Sequence, residues 1–463
     1  MKYATIVRMH EVEKMSRETK DLTNGRLSQQ FLVFSLPLMV TNVLQVLFNM
    51  ADVAVVGKFA GANALGAVGS TTMLVALFTG ILIGVSSGIN ILVALAVGLK
   101  SEKDIRETVH TAFLISAGIG ILLMIVGVSF SPLILKLLHT KEELISGASA
   151  YLRVYFLGLP ALALYNFGNA VFSAVGDTKR PLLFLSVAGV LNVCLNLFFV
   201  IGFDMDVLGV AIASVIAQYT SAFLILNSLF RCGQSYGLNA KLIRLEPAKA
   251  VRILKLGIPA GMQNAIFYVA NMFVQMGVNS FDAVVVAGNS AAANADNLIY
   301  DMMAAFYTAC GSFIGQNLGA RKKDRMIKSY FICMFDAFIL ALAAGVLLEI
   351  FGEQFLSLFT DDAAVMAAGM ERLRVMGFSY CISSFMDTAI AASRSLGKSF
   401  MPTVIVITGS CIFRVIWIYT VFAYFGTTTS LYLLFVCSWV ITALAGNIYF
   451  AGAYRKTVKS WQE

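Results

Sequence analysis

Twelve long apolar stretches constrain this chain more than any other feature of its sequence. A helix needs about 20 apolar residues to cross the hydrocarbon of a bilayer. Backbone polar groups in hydrocarbon must be hydrogen-bonded internally, so runs of this length are expected to be helices. The alternating segments of a membrane β-barrel are not seen. The predicted spans cover residues 30–56, 64–98, 107–130, 143–174, 182–203, 207–230, 252–278, 284–318, 326–351, 364–393, 403–425 and 429–454.

Composition supports lipid as the main surroundings of the chain. Of the 463 residues, 59% are hydrophobic and only 13% are charged, whereas a soluble domain has about 25% charged residues. The formal net charge of +8 could indicate a nucleic acid partner, but the basic residues lie in the short connections between spans. We therefore expect an all-α membrane protein with twelve transmembrane helices, in contact with the lipid bilayer and with no nucleic acid.

The distribution of Lys and Arg predicts the orientation. In alternate connections, one set contains 27 of these residues and the other set only 3. Cytoplasmic connections carry the excess of positive charge in membrane proteins. The sequence thus predicts a multi-pass protein of the cytoplasmic membrane with both termini in the cytoplasm. The first set comprises both tails and the connections around 100–106, 179–180, 231–255, 321–328 and 394–398.

The second half of the chain repeats the first at an offset of 221 or 222 residues. Such a repeat, with an even number of spans in each half, implies a pseudo-two-fold axis along the membrane normal and a binding site between the halves. The matching pairs are Pro37 and Pro259, Asn42 and Asn264, Asn49 and Asn271, Arg153 and Arg374, Gly176 and Gly397, and Pro181 and Pro402.

The repeat divides the chain into two lobes of six helices. The predicted parts are a cytoplasmic tail (1–29), a first lobe (30–230), a cytoplasmic linker (231–251), a second lobe (252–454) and a C-terminal tail (455–463). A monomer is expected.

Polar residues recur along one face of the first predicted helix. Asn42, Gln45, Asn49 and Asp52 are spaced by 3, 4 and 3 residues, which places all four on one side of a helix. A charged residue in hydrocarbon is unfavourable and usually functional. The stripe is therefore predicted to face the interior or a cavity, although hydrogen bonding between helices is an alternative.

The seventh predicted helix has a matching stripe. Asn264, Tyr268, Asn271 and Gln275 are spaced by 4, 3 and 4 residues, again on one face. Two polar stripes at matching places in two repeats suggest two walls of one central cavity for a small organic substrate.

The fifth and sixth helices add residues that could support Asp52. Asn192 and Asn196 lie one turn apart, and Ser214 follows in the next helix. Amide and hydroxyl oxygens near a carboxylate suit a proton relay or a Na⁺ ion, and packing between helices is the alternative interpretation. No metal is expected beyond a Na⁺ at Asp52, and no cofactor beyond the coupling ion, H⁺ or Na⁺.

Other charged residues lie within the second half. Asp296 and Asp301 are five residues apart on the eighth helix, and Asp387 lies on the tenth. Arg414 on the eleventh helix has no partner nearby in the sequence. A buried unpaired Arg is unfavourable, so we expect it to pair with an interior acid or with carbonyls at a helix end.

The chain resembles the multidrug and toxic compound extrusion (MATE) family of secondary transporters, and most of all its bacterial branch related to the DNA-damage-inducible protein DinF. The resemblance covers nearly the whole chain after about residue 28. Its motifs are Ser35-Leu-Pro37-Leu, Asn49-Met-Ala-Asp52 with Gly57-Lys, Gly176-Asp-Thr-Lys-Arg-Pro181 and Gly315-Gln-Asn-Leu-Gly-Ala320.

The resemblance implies export of drugs in exchange for H⁺ or Na⁺ by rocking of two six-helix lobes. Asp52 matches the family's first-helix acid, which is implicated in cation coupling, and Asn192 matches an Asn of that site. Ser214 stands where the family often has Thr, and Asp296 where relatives have an acid on the eighth helix. We expect Asp296 to line the substrate cavity together with the two polar stripes. Asn196 departs from the pattern, because a relative has Asp there.

Further departures concern the second lobe. Phe267 stands where the NorM-like branch has Glu, and Asp387 lies about two residues from the position of that branch's acid. The predicted function is export of cationic or amphipathic organic compounds. The alternatives are a flippase for lipid-linked oligosaccharides and an intramembrane enzyme, which would need His, Cys or paired acids at a catalytic spacing.

Overall fold

A computed structural model of the protein describes residues 21–137, 140 and 142–461. The described residues form helices and connections, with no strand among them, so the predicted all-α fold is confirmed. Residues 1–20 of the predicted N-terminal tail and residues 462–463 of the C-terminal tail lie outside the described residues.

Twelve helical units follow one another along the described chain. Ten are long and apolar enough to cross a membrane, and an eleventh, α4, consists of two arms bent by 46°. The units are α1 (Leu27–Ala60), α2 (Gly61–Gly98), α3 (Glu102–Leu137), α4 (Glu142–Phe156 and Leu159–Ala174), α5 (Lys179–Gly202), α6 (Asp206–Phe230), α7 (Pro247–Val278), α8 (Ala283–Gly319), α9 (Lys323–Leu356), α10 (Ala363–Ser395), α11 (Phe400–Phe425) and α12 (Thr428–Lys459).

The remaining unit, α7, is long enough to span but less apolar than the others. Its interior contains Gln263, Asn264, Asn271 and Gln275, which lower its mean hydropathy. A helix this polar is stable in a membrane when its polar side faces protein or a water-filled cavity rather than lipid.

Two lobes, α1–α6 and α7–α12, repeat the same packing. In the first lobe, Thr178 Oγ1 donates a hydrogen bond to the carbonyl of Phe34 at 3.0 Å. In the second, Ser399 Oγ donates to the carbonyl of Leu256 at 2.8 Å. Donors and acceptors are offset by 221 and 222 residues, so the repeat predicted from sequence is also a repeat of tertiary contacts.

The connection between the lobes packs against the start of α3. The backbone N–H of Asn239 donates to Nε2 of His110 at 3.0 Å. The next helix begins at Pro247, so residues 247–251 of the predicted linker are helical. We call the end of the bundle where residues 231–246 lie the linker face.

Glycines bring α2 and α7 into close contact between the lobes. A methyl group added to Gly84 would overlap the backbone of Gly261, and one added to Gly88 would meet the backbone of Gly257. Gly84 and Gly88, with Gly80 one turn earlier, form a ridge of small residues on α2 that allows this close contact between helices.

Asn90 and Ser312 mark the pseudo-two-fold axis at this contact. They are offset by 222 residues and hydrogen-bond to each other, with Asn90 Nδ2 3.0 Å from Ser312 Oγ. A residue touches its own repeat mate only close to the symmetry axis. Nearby, Gln316 accepts from the N–H of Leu22 at 3.1 Å and donates to the carbonyl of Ala174 at 2.7 Å. The lobes are thus joined near the linker end of the pseudo-two-fold axis.

Candidate functional site

The four residues predicted for ion coupling meet inside the first lobe. Asp52 on α1 accepts hydrogen bonds from Asn196 Nδ2 at 2.5 Å and from Ser214 Oγ at 3.0 Å. Asn192 Nδ2 is 3.4 Å from Ser214 Oγ, and its Oδ1 is 3.4 Å from Asn196 Nδ2. Three helices, α1, α5 and α6, are joined by this network. Asp52 is partly buried, whereas its three partners are buried.

The network is built around a single carboxylate. Each oxygen of Asp52 accepts from one neutral donor, and the Oδ1 atom of Asn196 is buried without a partner among the described residues. Wide π-helical turns follow at Val56–Ala60 in α1 and at Phe198–Gly202 in α5. Such turns are frequent at functional sites. The arrangement can bind a proton, or a small cation once the amide oxygens turn toward it.

The stripe on α1 begins at the other lobe. Asn42 Nδ2 donates to the backbone carbonyl of Asp301 on α8 at 2.8 Å. Further along α1, Gln45 is partly buried and Asn49 is exposed.

The stripe on α7 begins in the same way. Asn264 Nδ2 donates to the carbonyl of Gly80 on α2 at 3.0 Å, and Tyr268 follows one turn later. Asn271 and Gln275 are exposed, and Gln275 donates to Asn279 at 2.8 Å.

The first members of the two stripes make equivalent contacts. Asn42 and Asn264 are repeat mates at an offset of 222. Their acceptors, Asp301 for Asn42 and Gly80 for Asn264, are offset by 221. Each stripe therefore starts at a contact between lobes and continues to exposed residues toward the face opposite the linker.

Asp296 lies inside the second lobe with its charge paired. It forms an ion pair with Nη2 of Arg372 on α10 and accepts a further bond from Nε at 3.1 Å. Nη1 of Arg372 donates to Asn289 at 2.5 Å. All three side chains are buried, a placement that favours a role within the lobe over contact with cargo.

Arg414 does not have the partner that we expected. Its Nη1 donates to Asn271 at 2.8 Å, and its Nε is 3.5 Å from Ser438 Oγ. The guanidinium carbon lies 5.2 Å from the ring centre of Phe267 and 4.5 Å from that of Phe435. No acidic side chain of the described chain lies within ion-pair distance. The expectation of an acid or a helix-end carbonyl was therefore wrong.

Sequence reasoning missed the role of Arg372. Arg372 lies two residues before Arg374, and a separation of two places them on nearly opposite sides of a helix. Asn289 and Asp296, seven residues apart and so on one face of α8, were a signal for a buried polar partner. Their contact with Arg372 comes from a helix about 80 residues away, which local spacing does not reveal.

The sequence profile of the MatE family matches residues 37–198 and again residues 259–420. The chain belongs to the MatE family. The two matches are themselves offset by 222 residues, so one family unit recognises both lobes of this MatE protein.

Individual relatives agree with this assignment. The chain is 30% identical over 366 residues to a probable multidrug resistance protein, YpnP, of Bacillus subtilis (strain 168), which covers 78% of this chain and 80% of the relative. A second probable multidrug resistance protein of that organism, YoeA, is 26% identical, and the match covers 81% of this chain and 82% of the relative. The MatE chain is thus a membrane transporter of a multidrug efflux family and not an enzyme.

Solved structures show the same fold. The chain superimposes on the outward-facing conformation of a multidrug resistance MATE family transporter of the MOP superfamily with a TM-score of 0.88. The match covers 95% of this chain and 98% of the other, at 20% identity. The two-lobe arrangement of twelve helices is that of MATE transporters.

Proposed function

We propose that this protein is a secondary active antiporter that exports organic, cationic or amphipathic compounds across the cytoplasmic membrane in exchange for H⁺ or Na⁺. The observation that carries the proposal is Asp52, a lone carboxylate held by Asn196 and Ser214 within the first lobe of a two-lobe transporter. A charge in this position is expected to be functional.

The contacts between the lobes support a mechanism of alternating access. The lobes touch on the linker side through α2 and α7, while the outer parts of both stripes are exposed. If the linker face is cytoplasmic, as the excess of basic residues predicts, this conformation is closed to the cytoplasm. Rocking of the lobes would break these contacts and expose the stripes, with Asn42, Gln45 and Asn49 on one wall, to the other side.

Exchange is explained by competition for one negative charge. When Asp52 faces the outside, it takes up a proton and its attraction for a cationic cargo is lost. When it faces the cytoplasm, it releases the proton and accepts new cargo. The two ligands never need to touch, because each changes the charge that the other experiences.

The geometry favours H⁺ as the coupling ion. A desolvated Na⁺ needs several oxygen ligands and negative charge to offset its lost hydration. In this site Asn196 presents its N–H group to Asp52, and it stands where a relative has a second acid. A proton requires only the one carboxylate.

Ethidium efflux from proteoliposomes tests the proposal. We expect an imposed pH gradient to drive efflux and a Na⁺ gradient at clamped pH to drive none. Efflux that follows the Na⁺ gradient without any dependence on pH would refute proton coupling, and no efflux under either gradient would refute antiport of this compound.

Labelling of single cysteines tests the orientation. In a cysteine-free background, Gln234→Cys on the linker face should react only from the cytoplasmic side. Asp361→Cys, in the exposed connection between α9 and α10, is the matched control and should react only from outside. The opposite pattern would reverse the proposed direction of transport.

Flipping of lipid-linked oligosaccharides is the remaining alternative. A carboxylate in the first lobe and amide-rich stripes favour a cationic cargo over a polyanionic lipid head group. Transport of ethidium, which has no lipid tail, separates the two functions.

A further inference from the structure

Arg414 on α11 lies within one residue of the place that Asn192 has on α5, because the start of these two helices is offset by 221 (Thr178 and Ser399) and the two family matches end at an offset of 222. The offset of 222, which also relates Asn49 to Asn271, pairs Arg414 with Asn192. The same offset places Val274 at the position of Asp52. The ion site of the first lobe therefore has a counterpart in which the carboxylate is absent and a guanidinium has been gained.

The surroundings of Arg414 leave most of its hydrogen-bonding capacity free. Arginine has five N–H donors, and the contacts within the described chain, to Asn271 and Ser438, engage two of them. The guanidinium lies against the rings of Phe267 and Phe435, which fix its plane. Its side chain is only 2% exposed.

Nearby charges do not neutralise Arg414 directly. Asp387 interacts with it electrostatically, but it lies beyond ion-pair distance and is shared with Arg394. Arg372 is already paired with Asp296. A buried cation without a counter-ion is strongly unfavourable, and it is tolerated in a membrane protein mainly where function requires it.

The position of Asn271 connects this cation to the polar stripe of α7. Asn271 is exposed and accepts the hydrogen bond from Nη1 of Arg414. An anion that reaches Asn271 would therefore lie one hydrogen bond away from the guanidinium. The flat fork of Arg matches the two oxygens of a carboxylate or phosphate and binds them in a bidentate manner.

We propose that Arg414 and Asn271 form a subsite for an oxyanion carried by the cargo, so that the cargo class includes zwitterions, with their cationic part toward the first lobe and their anionic part at the second. This proposal rests on the proposed function, in that the cargo binds between the lobes.

Two dyes that differ in one group test the subsite. Tetramethylrhodamine as the free acid carries a carboxylate, and its methyl ester carries none. Binding of each dye to the purified full-length protein is measured by fluorescence anisotropy, without any ion gradient. We expect Arg414→Gln to weaken binding of the free acid by roughly 10-fold or more, the loss expected for a charge-assisted hydrogen bond. Binding of the ester should change less than about twofold.

Controls separate charge from folding. Arg414→Lys keeps the charge but not the fork and should lose less affinity for the free acid than Arg414→Gln. Arg374→Gln removes an exposed guanidinium from the same lobe and should change neither dye. Normal binding of the ester shows that a variant is folded.

Three results would overturn the subsite. They are no binding of the free acid to the wild-type protein, equal loss of both dyes in the Gln and Lys variants, and loss of free-acid binding when phosphatidylglycerol is added, which would assign Arg414 to a lipid head group. None of them depends on a gradient, so failure of antiport in the ethidium assay would be a separate result.

Discussion

The two lobes share one architecture but differ in the charge at the places that correspond to the first-lobe ion site. In the first lobe the site contains Asp52 with the neutral donors Asn196 and Ser214. In the second, Val274 and Arg414 stand at the places of Asp52 and Asn192. The repeat has thus conserved helix packing while the polar chemistry has diverged. At the corresponding places, the first lobe has a group that can take up a proton, and the second lobe has a cation with a fixed charge.

A second difference lies in the cores of the lobes. The second lobe buries the ion pair of Asp296 and Arg372. At the corresponding places in the first lobe the repeat puts apolar Leu74 or Val75, and Tyr151, which belong to its hydrophobic core. The buried charges of the second lobe therefore have in part a structural role. A charged residue within this lobe is not by itself evidence of a role in transport.

The largest expected effect concerns Asp52. Asp52→Asn keeps the shape of the side chain and removes its titration, so the variant should fold, reach the membrane and lose gradient-driven ethidium efflux entirely. The measurement is efflux from proteoliposomes under an imposed pH gradient.

Asp336→Asn is the matched control for this loss. Asp336 is a partly buried acid on α9 of the second lobe, and its replacement should leave efflux close to the wild-type rate. Wild-type efflux by Asp52→Asn would show that coupling does not depend on the first-lobe site. Asp387 would then become the candidate.

The next effect concerns stability of the second lobe. Removing one member of a buried ion pair leaves the other charge uncompensated, which destabilises a protein by about 3–5 kcal/mol. Arg372→Gln should therefore lower the free energy of unfolding by that amount, measured by denaturant titration in detergent micelles.

The control lies two residues away on the same helix. Arg374 is 64% exposed and its Nε is 3.4 Å from Glu349, a surface pair whose loss changes stability by about 0–1 kcal/mol. Equal losses for Arg372→Gln and Arg374→Gln would contradict the contrast between buried structural charge and surface charge in this lobe.

The sequence allowed prediction of the features that depend on local spacing. Twelve apolar runs, the offset of 222 and the polar stripes all follow from periodicities along one helix or between two halves, and the residues predicted around Asp52 do meet. Asn192 and Asn196 lie one turn apart on one helix, and this spacing indicated that both side chains could face the same site.

The partners of the buried arginines could not be predicted in the same way. Arg414 contacts Asn271 from 143 residues away, and Arg372 contacts Asp296 from 76 residues away. Such contacts depend on how helices rotate and cross, which the pattern of a single helix does not determine. The same limit applies to Asn42 and Asn264, which were predicted as cavity walls and which also join the lobes.

The smallest effect tests whether the lobes are equivalent at their contact. Asn42→Ala and Asn264→Ala each remove one hydrogen bond between lobes, worth about 1 kcal/mol. Each variant should therefore raise the fraction of molecules that are open at the linker face by roughly fivefold. In the double variant the two increases should multiply.

A buried cysteine on the axis reports that population. Ser312→Cys, in a cysteine-free background, occupies a fully buried position at the contact, so a maleimide reaches it only when the linker face opens. Asn279→Ala, an exposed Asn at the end of α7, is the control and should leave the labelling rate unchanged. Because both hydrogen bonds join a repeat-related Asn to a repeat-related carbonyl, the two single variants should accelerate labelling equally. Acceleration by only one of them would show that one lobe holds the contact, and that the divergence seen in the buried charges extends to the opening movement itself.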